Sequence, residues 1–565
     1  MDFSKINVSD HQELARVIIL EAVEQHFSDR QHFQKFRNQI IKRCHGKIFH
    51  NLYFVKAYAD LVKEGKIQPN EEFLSLIQKR RVRTMSGVAP VTVITKPYPC
   101  PGKCTYCPTD VRMPKSYLPS QPAAQRGFRQ RFDPYSQVYV RLKALEMEGH
   151  EVSKVELRIL GGTWSSYPKQ YQTWFVKRCL QAMNEYTGFR FQVLGVRNPI
   201  RTQKVHVKSR YGIDVVNKVV VKSGGNITLE KTIKENETAD VRCIGINIET
   251  RPDFIDEKEI RQLRKLGVTK VEMGVQTTDD KVQELTRRGH DLQSVKDSTK
   301  LLKDAGFKIG YHMMPNLPGS SVELDKRMIG ELFTDSQYQP DYLKIYPCVV
   351  IPGTSLAVQY RRGDFKPYDD KTVEEILLQN LKDVPEWCRI DRVARDIPSD
   401  KIEAGTRVSN IRQLLEEQLR REGTPCKDIR SREIGGDVFK REDVKLVKRQ
   451  YEASSGKEIF LSFEDVKQDK LIALLRLRLS GAAIVREVHV YGKQIAVGAK
   501  PSAPLARGDG GQQHTGWGTQ LMQEAQRIAK EAGFEKLAVI AGIGTREWYR
   551  KLGYQLEGTY MVKSF

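Results

Sequence analysis

No stretch of this 565-residue chain approaches the roughly 18 consecutive apolar residues of a membrane-spanning helix, so no transmembrane segment is expected. The opening residues, MDFSKINVSDHQELARVII, carry acids early and lack an apolar run; no secretory signal is expected and the chain is placed in the cytoplasm. Cysteine is scarce, nine in 565 residues, too few for a disulfide scaffold. In a cytoplasmic chain a tight group of cysteines reads as a metal site instead. Internal repeats and low-complexity tracts are absent. Negative charge is in deficit: 70 Asp and Glu face 93 Lys and Arg, leaving a formal net charge of +23. Such an excess implies a polyanionic partner, most simply a nucleic acid; without a long apolar run, no membrane partner is expected.

The hydrophobic pattern divides the chain into four parts. Residues 1–84 show apolar positions at helical spacing, interleaved with base and ending on Lys79, Arg80, Arg81 and Arg83. This basic helical segment is the expected nucleic-acid surface. Residues 85–347 alternate short strands (91–96, 155–160, 242–248, 270–276, 309–314, 342–346) with amphipathic helices. Six such units in series imply a parallel sheet, either a partial barrel or an open wound sheet. The polar, basic stretch from 190 to 240 interrupts them as an insertion with its own hairpin-like strands. Residues 348–455 have weak periodicity and read as a linker domain, and 456–565 as a separate α+β domain.

Two motifs carry chemistry. Cys100, Cys104 and Cys107 form a CxxxCxxC loop after the first strand. Three thiolates satisfy three irons of a [4Fe–4S] cube and leave the fourth iron open for S-adenosylmethionine. A structural zinc site wants four closed ligands, and no partner CxxC exists. Tyr106 is expected to pack over the cluster. Gly161 and Gly162 after the second strand, Glu249 after the third and Gln276 after the fourth fall where a β/α barrel binds ligands, and suit the cofactor's amino group, ribose and carboxylate. Near the C-terminus, Gln513, Gly516, Trp517, Gly518 and Thr519 precede a helix. Glycines there expose backbone N–H groups at a helix N-terminus, where a pyrophosphate binds.

The cysteine loop resembles that of the radical S-adenosylmethionine superfamily, and the glycine loop that of the GNAT-type acetyltransferases. Their combination resembles the family of the catalytic Elongator subunit. IETRPD (248–253), RRGH (287–290), HMMP (312–315), LKIYP (343–347), SREIGG (431–436), IVREVHVYG (484–492) and KLGY (551–554) carry the likeness. The resemblance implies a partial (β/α)6 radical domain fused to an acetyltransferase domain. It implies an enzyme that carboxymethylates carbon 5 of the wobble uridine in a tRNA anticodon loop, with acetyl-coenzyme A as donor. It further implies Lys154, Glu487, Val488, His489, Val490 and the loop Trp517–Thr519 as acetyl-coenzyme A contacts, and Tyr549 as the residue meeting the thioester.

The alternative is a protein lysine acetyltransferase with a structural radical half, in which Glu487 would deprotonate the amine. Cys348, Cys388 and Cys426 read equally as a zinc set or as buried thiols, whereas Cys44, Cys179 and Cys243 read as core. A homodimer is compatible with the sequence but not required by it. Neutralising Arg80, Arg81 and Arg83 should weaken RNA binding alike across tRNA sequences and reduce its salt slope by roughly one unit for each phosphate left without its cation, as measured by filter binding at several salt concentrations.

Overall fold

The computed structural model describes residues 11–43, 51–68, 70–77, 86–187, 202–208, 214–220, 227–408, 410–492, 509–510 and 516–565. Four helices come first: α1 (His11–Ala22), α2 (Arg30–Arg43), α3 (Asn51–Lys63) and α4 (Glu71–Ile77). They close around their own core of Leu14, Ile18, Phe33, Ile41, Phe54 and Leu61. The Lys79–Arg83 run lies outside the described residues.

Seven parallel strands follow: β1 (Ala89–Ile94), β2 (Lys154–Leu160), β3 (Arg242–Thr250), β4 (Lys270–Gln276), β5 (Lys308–Met313), β6 (Tyr342–Ile345) and β7 (Arg389–Val393). They pair in chain order, each new strand adding to the same edge, so the sheet winds one way into a half-barrel. The expected six strands are present. The seventh lies in the stretch read as linker, where its five residues, Arg-Ile-Asp-Arg-Val, carry too much charge to look like a buried strand.

Alternation decides which face does what. In β2, Val155, Leu157 and Ile159 are buried against helices, while Lys154, Glu156, Arg158 and Leu160 point inward and stay partly exposed. The outer face of the sheet therefore makes the core and the inner face a charged lumen. Between β2 and β3 the expected insertion hairpin is present, Thr202–Lys208 pairing antiparallel with Asp214–Val220.

A second sheet contains β8 (Val444–Ala453), β9 (Gly456–Asp465), β10 (Lys470–Leu479), β11 (Ala483–Val490), β12 (Lys536–Val539), β13 (Gln555–Glu557) and β14 (Tyr560–Ser564), in the order β8-β9-β10-β11-β12-β14-β13. It starts inside the stretch assigned to the linker. Helices α5 (Trp517–Glu531) and α6 (Arg546–Lys551) pack on it. β11 runs parallel to β12 only over Ala483–Val485, after which the two strands part.

The two sheets share a buried, charged interface. Asp341, just before β6, is fully buried and accepts two bonds from Arg486 of β11, at 2.5 and 2.8 Å. Arg486 also reaches Glu458 at 3.0 Å and the Phe307 carbonyl at 2.6 Å. Arg478 bonds Asp304 at 2.6 Å, and Tyr342 donates to Glu487 at 2.5 Å. A bulge opposite Arg476 and Leu477 inserts Arg486 as the extra residue, so Arg486 and Glu487 both engage the half-barrel. Gly542 fits against the Ile244 backbone where a Cβ would lie 1.9 Å from the carbonyl oxygen.

Removing one partner from such a site leaves an uncompensated buried charge. Asp341→Asn should lower stability by about 3–5 kcal/mol in urea titration. Breaking the exposed Arg527–Glu531 pair should leave the midpoint unmoved.

Candidate active site

At the C-terminal mouth of the half-barrel the strands and their loops enclose a cavity of about 720 Å³. The loop after β1 brings Cys100, Cys104 and Cys107 to its wall. Thr105 fixes that loop from both sides, its N–H donating to the Thr286 carbonyl at 3.0 Å and its own carbonyl accepting from Leu356 N–H at 2.9 Å. Arg288 donates to Cys104 Sγ at 3.4 Å. Cys100 Sγ lies 3.6 Å from Thr163 Oγ1. Gly102 has no side chain to block Arg251, whose Nη1 lies 2.8 Å from where a Cβ would stand and is buried without a hydrogen-bond partner.

Tyr106 lines the cavity beside the cysteines and packs on an apolar cluster with Val282, Leu317, Cys348 and Val350. It braces the loop against that cluster.

The glycine pair divides its work. Gly161, at φ +123°, lets the chain press on Thr95, whose Oγ1 would lie 2.0 Å from a Cβ; it does not line the cavity. Gly162 does line it, at φ +51°, with nothing within 4 Å of its Cβ position. Gln276 ends β4 with φ +78°, next to a register shift, and its Oε1 is buried without a partner in the cavity wall.

Behind these residues lies a charged group. Glu249 accepts from Tyr117 Oη at 2.8 Å and from Lys344 Nζ at 3.0 Å. Lys344 also contacts Glu272. Glu272 accepts from His312 Nε2 at 2.8 Å and Asn247 Nδ2 at 2.6 Å, and lies 3.3 Å from Lys270. Burial would raise the Glu272 carboxyl, but Lys344, Lys270 and His312 outweigh it and hold it well below the usual range. Glu249 is likewise pushed up by burial and pulled down, on balance, by Lys344 and His312. Among the described residues, Glu249, Glu272 and His312 are the one group of such ligand atoms within 4.8 Å of one another. The cation the carboxylates share is the Lys344 ammonium. Glu272, His312 and Lys344 were not singled out as site residues from sequence, although charges at inward positions of buried strands were a signal.

The wall as a whole is basic. Eleven Lys and Arg line it against four Asp and Glu.

Residues 97–328 match the Radical SAM superfamily, and residues 340–421 the Radical_SAM C-terminal domain. The chain is 40% identical to a Methanocaldococcus infernus protein named tRNA uridine(34) acetyltransferase, over 96% of this chain and 98% of the relative. It is 35% identical to human Elongator complex protein 3, over 89% of each chain. The solved structure of the archaeal M. infernus Elp3 with an N-terminal deletion (1–46) superposes with a TM-score of 0.67 at 39% identity, covering 85% of this chain and 99% of that one.

The chain belongs to the Elongator complex protein 3 family.

A radical SAM protein of this family implies a [4Fe–4S] cluster and S-adenosylmethionine, and the cavity fits both. Cys100, Cys104 and Cys107 bring three thiols to one cavity, which suits a cluster with one open iron better than a four-ligand zinc site. Two guanidiniums, one with an orphaned buried N–H, stand ready for its negative charge. The unpartnered Gln276 Oε1 and the open face of Gly162 await a polar ligand. By contrast, Cys348, Cys388 and Cys426 form no ligand set: Cys348 sits in the apolar cluster behind the loop, and the other two in the main core with Cys179 and Cys243. Burial pushes Cys348 up to about 12 and Cys426 to about 11. Cys44 lies outside the described residues.

The Elongator-like second sheet distributes its expected residues unevenly. Gly516 caps α5 at φ +92° with open space around it, and Gly518 faces Trp548 and Val490 at 3.5 and 3.7 Å. Among the described residues these, with the parting of β11 and β12, leave a gap bounded by Val488–Val490 and the first turn of α5, which includes Thr519. The Trp517 ring is not part of the gap, being buried against Phe463 under Arg441, so only its backbone N–H stands in the first turn of α5. Tyr549 is 5% exposed in the core beside Trp548 and Tyr554, and burial raises its phenol. Glu487 faces the half-barrel, bonded to Tyr342 and to Arg476 at 2.9 Å. His489 Nε2 lies 2.7 Å from the Ser86 carbonyl. Lys154 opens β2 at the end of the barrel away from the cysteines, where burial lowers its ammonium to about 8. Gln513 lies outside the described residues.

Anaerobically reconstituted protein should bind about four irons, and Cys104→Ala essentially none, by colorimetric iron assay. Cys348→Ala, altering a thiol that also borders the cavity, should keep its iron.

Proposed function

We propose that this chain installs a carboxymethyl group on carbon 5 of the wobble uridine of tRNA, with acetyl-coenzyme A as the carbon donor. The observation that carries the proposal is one cavity in which three thiols meet an excess of basic side chains. The relatives named tRNA uridine(34) acetyltransferase supply the substrate class.

Cys100, Cys104 and Cys107 would hold the cluster, which with S-adenosylmethionine would supply the one-electron chemistry needed to open an unactivated methyl C–H bond. The chain's own residues do the rest by holding and excluding. Arg251 and Arg288 offset the charge of the thiolates. Gly162, Glu249 and Gln276 border the space for S-adenosylmethionine. Lys115, Arg126 and Arg395 at the wall draw in RNA phosphates, and the Lys79–Arg83 run is the outer contact. The uracil must leave its stack to enter, which suits an anticodon loop.

Acetyl-coenzyme A fits the gap between β11 and β12. The first turn of α5 offers free N–H groups and the positive end of the helix dipole to a pyrophosphate. Val488–Val490, beyond the last residue paired with β12, lie where an extended arm would run. Tyr549, enclosed in the core, supports the wall of that gap.

The lysine acetyltransferase alternative loses its base. Burial would raise Glu487, but Lys308 and Arg476 hold it down at about 2, and its oxygens are occupied inside the interface.

Incubation with tRNA and methyl-labelled acetyl-coenzyme A should place label in the wobble nucleoside; label on protein lysine would overturn the proposal. Gly516→Glu puts a negative charge at the helix N-terminus, at a left-handed φ of +92° that strains a side chain locally. It should weaken acetyl-coenzyme A binding about tenfold or more and abolish modification, while iron content and tRNA affinity stay unchanged.

A further inference from the structure

Among the cavity's charged groups, His312 has one nitrogen fixed and one free. It sits on β5 with its side chain 16% exposed, in the same wall as the three cysteines. Its Nε2 is 2.8 Å from Glu272 Oε2. Glu272 is 2% exposed and its other oxygen receives Asn247. An ionised carboxylate only accepts hydrogen bonds, so Nε2 carries the ring hydrogen and Nδ1 keeps a lone pair. Nδ1 has no partner among the described residues. Tyr346 meets the ring edge to face at 5.8 Å and limits its rotation. A carboxylate that orients an imidazole whose far nitrogen faces a substrate cavity is the arrangement of a general base.

We propose that His312 is the general base that hydrolyses the thioester left after the acetyl carbon has joined the uridine, with Glu272 as its positioning residue. The inference rests on the carboxymethylation proposed above. In that reaction the new bond joins carbon 5 to the former methyl carbon, so the thioester carbonyl lies one bond further and in the same cavity. Unless the RNA departs carrying coenzyme A, hydrolysis takes place there. A water gives a proton to Nδ1 as its oxygen bonds the carbonyl carbon. The carbon–sulfur bond then breaks, and the departing thiolate takes the proton back from the imidazolium. The products are a carboxylic acid, which ionises into solvent, and the coenzyme A thiol; no electron changes hands.

The groups facing the ring are Glu272 and Lys270 from β4, Glu249 from β3 at 3.9 Å, and Lys344 and Tyr346 from β6 and its end. Lys344, between the two glutamates, keeps Glu272 ionised and so keeps the hydrogen on Nε2.

The test uses the full reconstituted chain, tRNA and methyl-labelled acetyl-coenzyme A, with the RNA digested and read by mass spectrometry. If the wild-type protein makes no carboxymethyluridine, the underlying reaction is wrong. If it does, His312→Gln should slow release of the carboxylate by about 10²–10⁴-fold and accumulate a uridine–coenzyme A thioester, with 5′-deoxyadenosine formed as before. Normal carboxymethyluridine, or loss of product without the thioester conjugate, overturns the role of His312. Glu272→Gln should slow the same release step and let the ring populate the Nδ1–H tautomer; an unchanged rate and tautomer remove Glu272 as the positioning residue. Nitrogen-15 spectra of the cluster-free protein should show the Nε2–H tautomer, and an Nδ1–H tautomer overturns the proposal.

Discussion

The rest of the structure depends on the Asp341–Arg486 pair. A carboxylate and a guanidinium are taken wholly out of water at the join between two sheets, with Glu458 alongside. Burying both charges is costly, and only near-complete hydrogen bonding offsets it. Asp341 meets that condition by also accepting from the Ile309 N–H at 2.9 Å, which ties it to the backbone of β5. The pair contributes orientation more than raw stability. A purely apolar interface would allow sliding, whereas a two-pronged ion pair fixes β11 against the bottom of the half-barrel in one register. Gly542 and Gly544 serve the same end, letting backbone meet backbone where a methyl group would collide.

That register is what makes the half-barrel interior useful. Strands of a parallel sheet covered on both faces read as nearly continuous apolar runs. Here the inward positions hold Glu156, Arg158, Lys270, Glu272, His312 and Lys344 instead. They are tolerated in a poorly solvated space because each has an oppositely charged or hydrogen-bonding neighbour at hand. The pattern resembles a sheet with one face in water, although that face is the wall of a chamber. The chemistry at the mouth therefore has proton donors and acceptors behind it, whereas the outer face supplies only rigidity.

Much of the fold was legible because period-two burial and loop motifs are local signals. The cysteine loop and Gly162 stand at the cavity as their spacing implied. The limits were of three kinds. β7 was hidden by its charges, of which Arg389 and Asp391 are paired inside the protein while Arg392 stays exposed at the cavity wall, so local polarity misled. Trp517, Tyr549 and Glu487 were read from motif position alone, and a motif does not say which way a side chain turns. Trp517 and Tyr549 turned into the core, and Glu487 toward the other sheet. The Glu249–Lys344–Glu272–His312 group was illegible for another reason: its members come from four strands, and only the wound sheet makes them neighbours. Their stretches, HMMP and LKIYP, carried the family likeness but gave no hint of a common site.

The bulge in β11 has a mechanical meaning. With Arg486 and Glu487 turned to the half-barrel, and Val488 and Val490 left to the sheet's own side, one strand serves as a party wall between two rooms. Its near side is bolted to Asp341 and Tyr342; its far side borders the gap at α5. Such a wall cannot bow toward one tenant without withdrawing from the other. Occupancy on either side is then felt as strain on the same few bolts, and a message between the rooms needs no hinge, only the stiffness of a strand held at both faces.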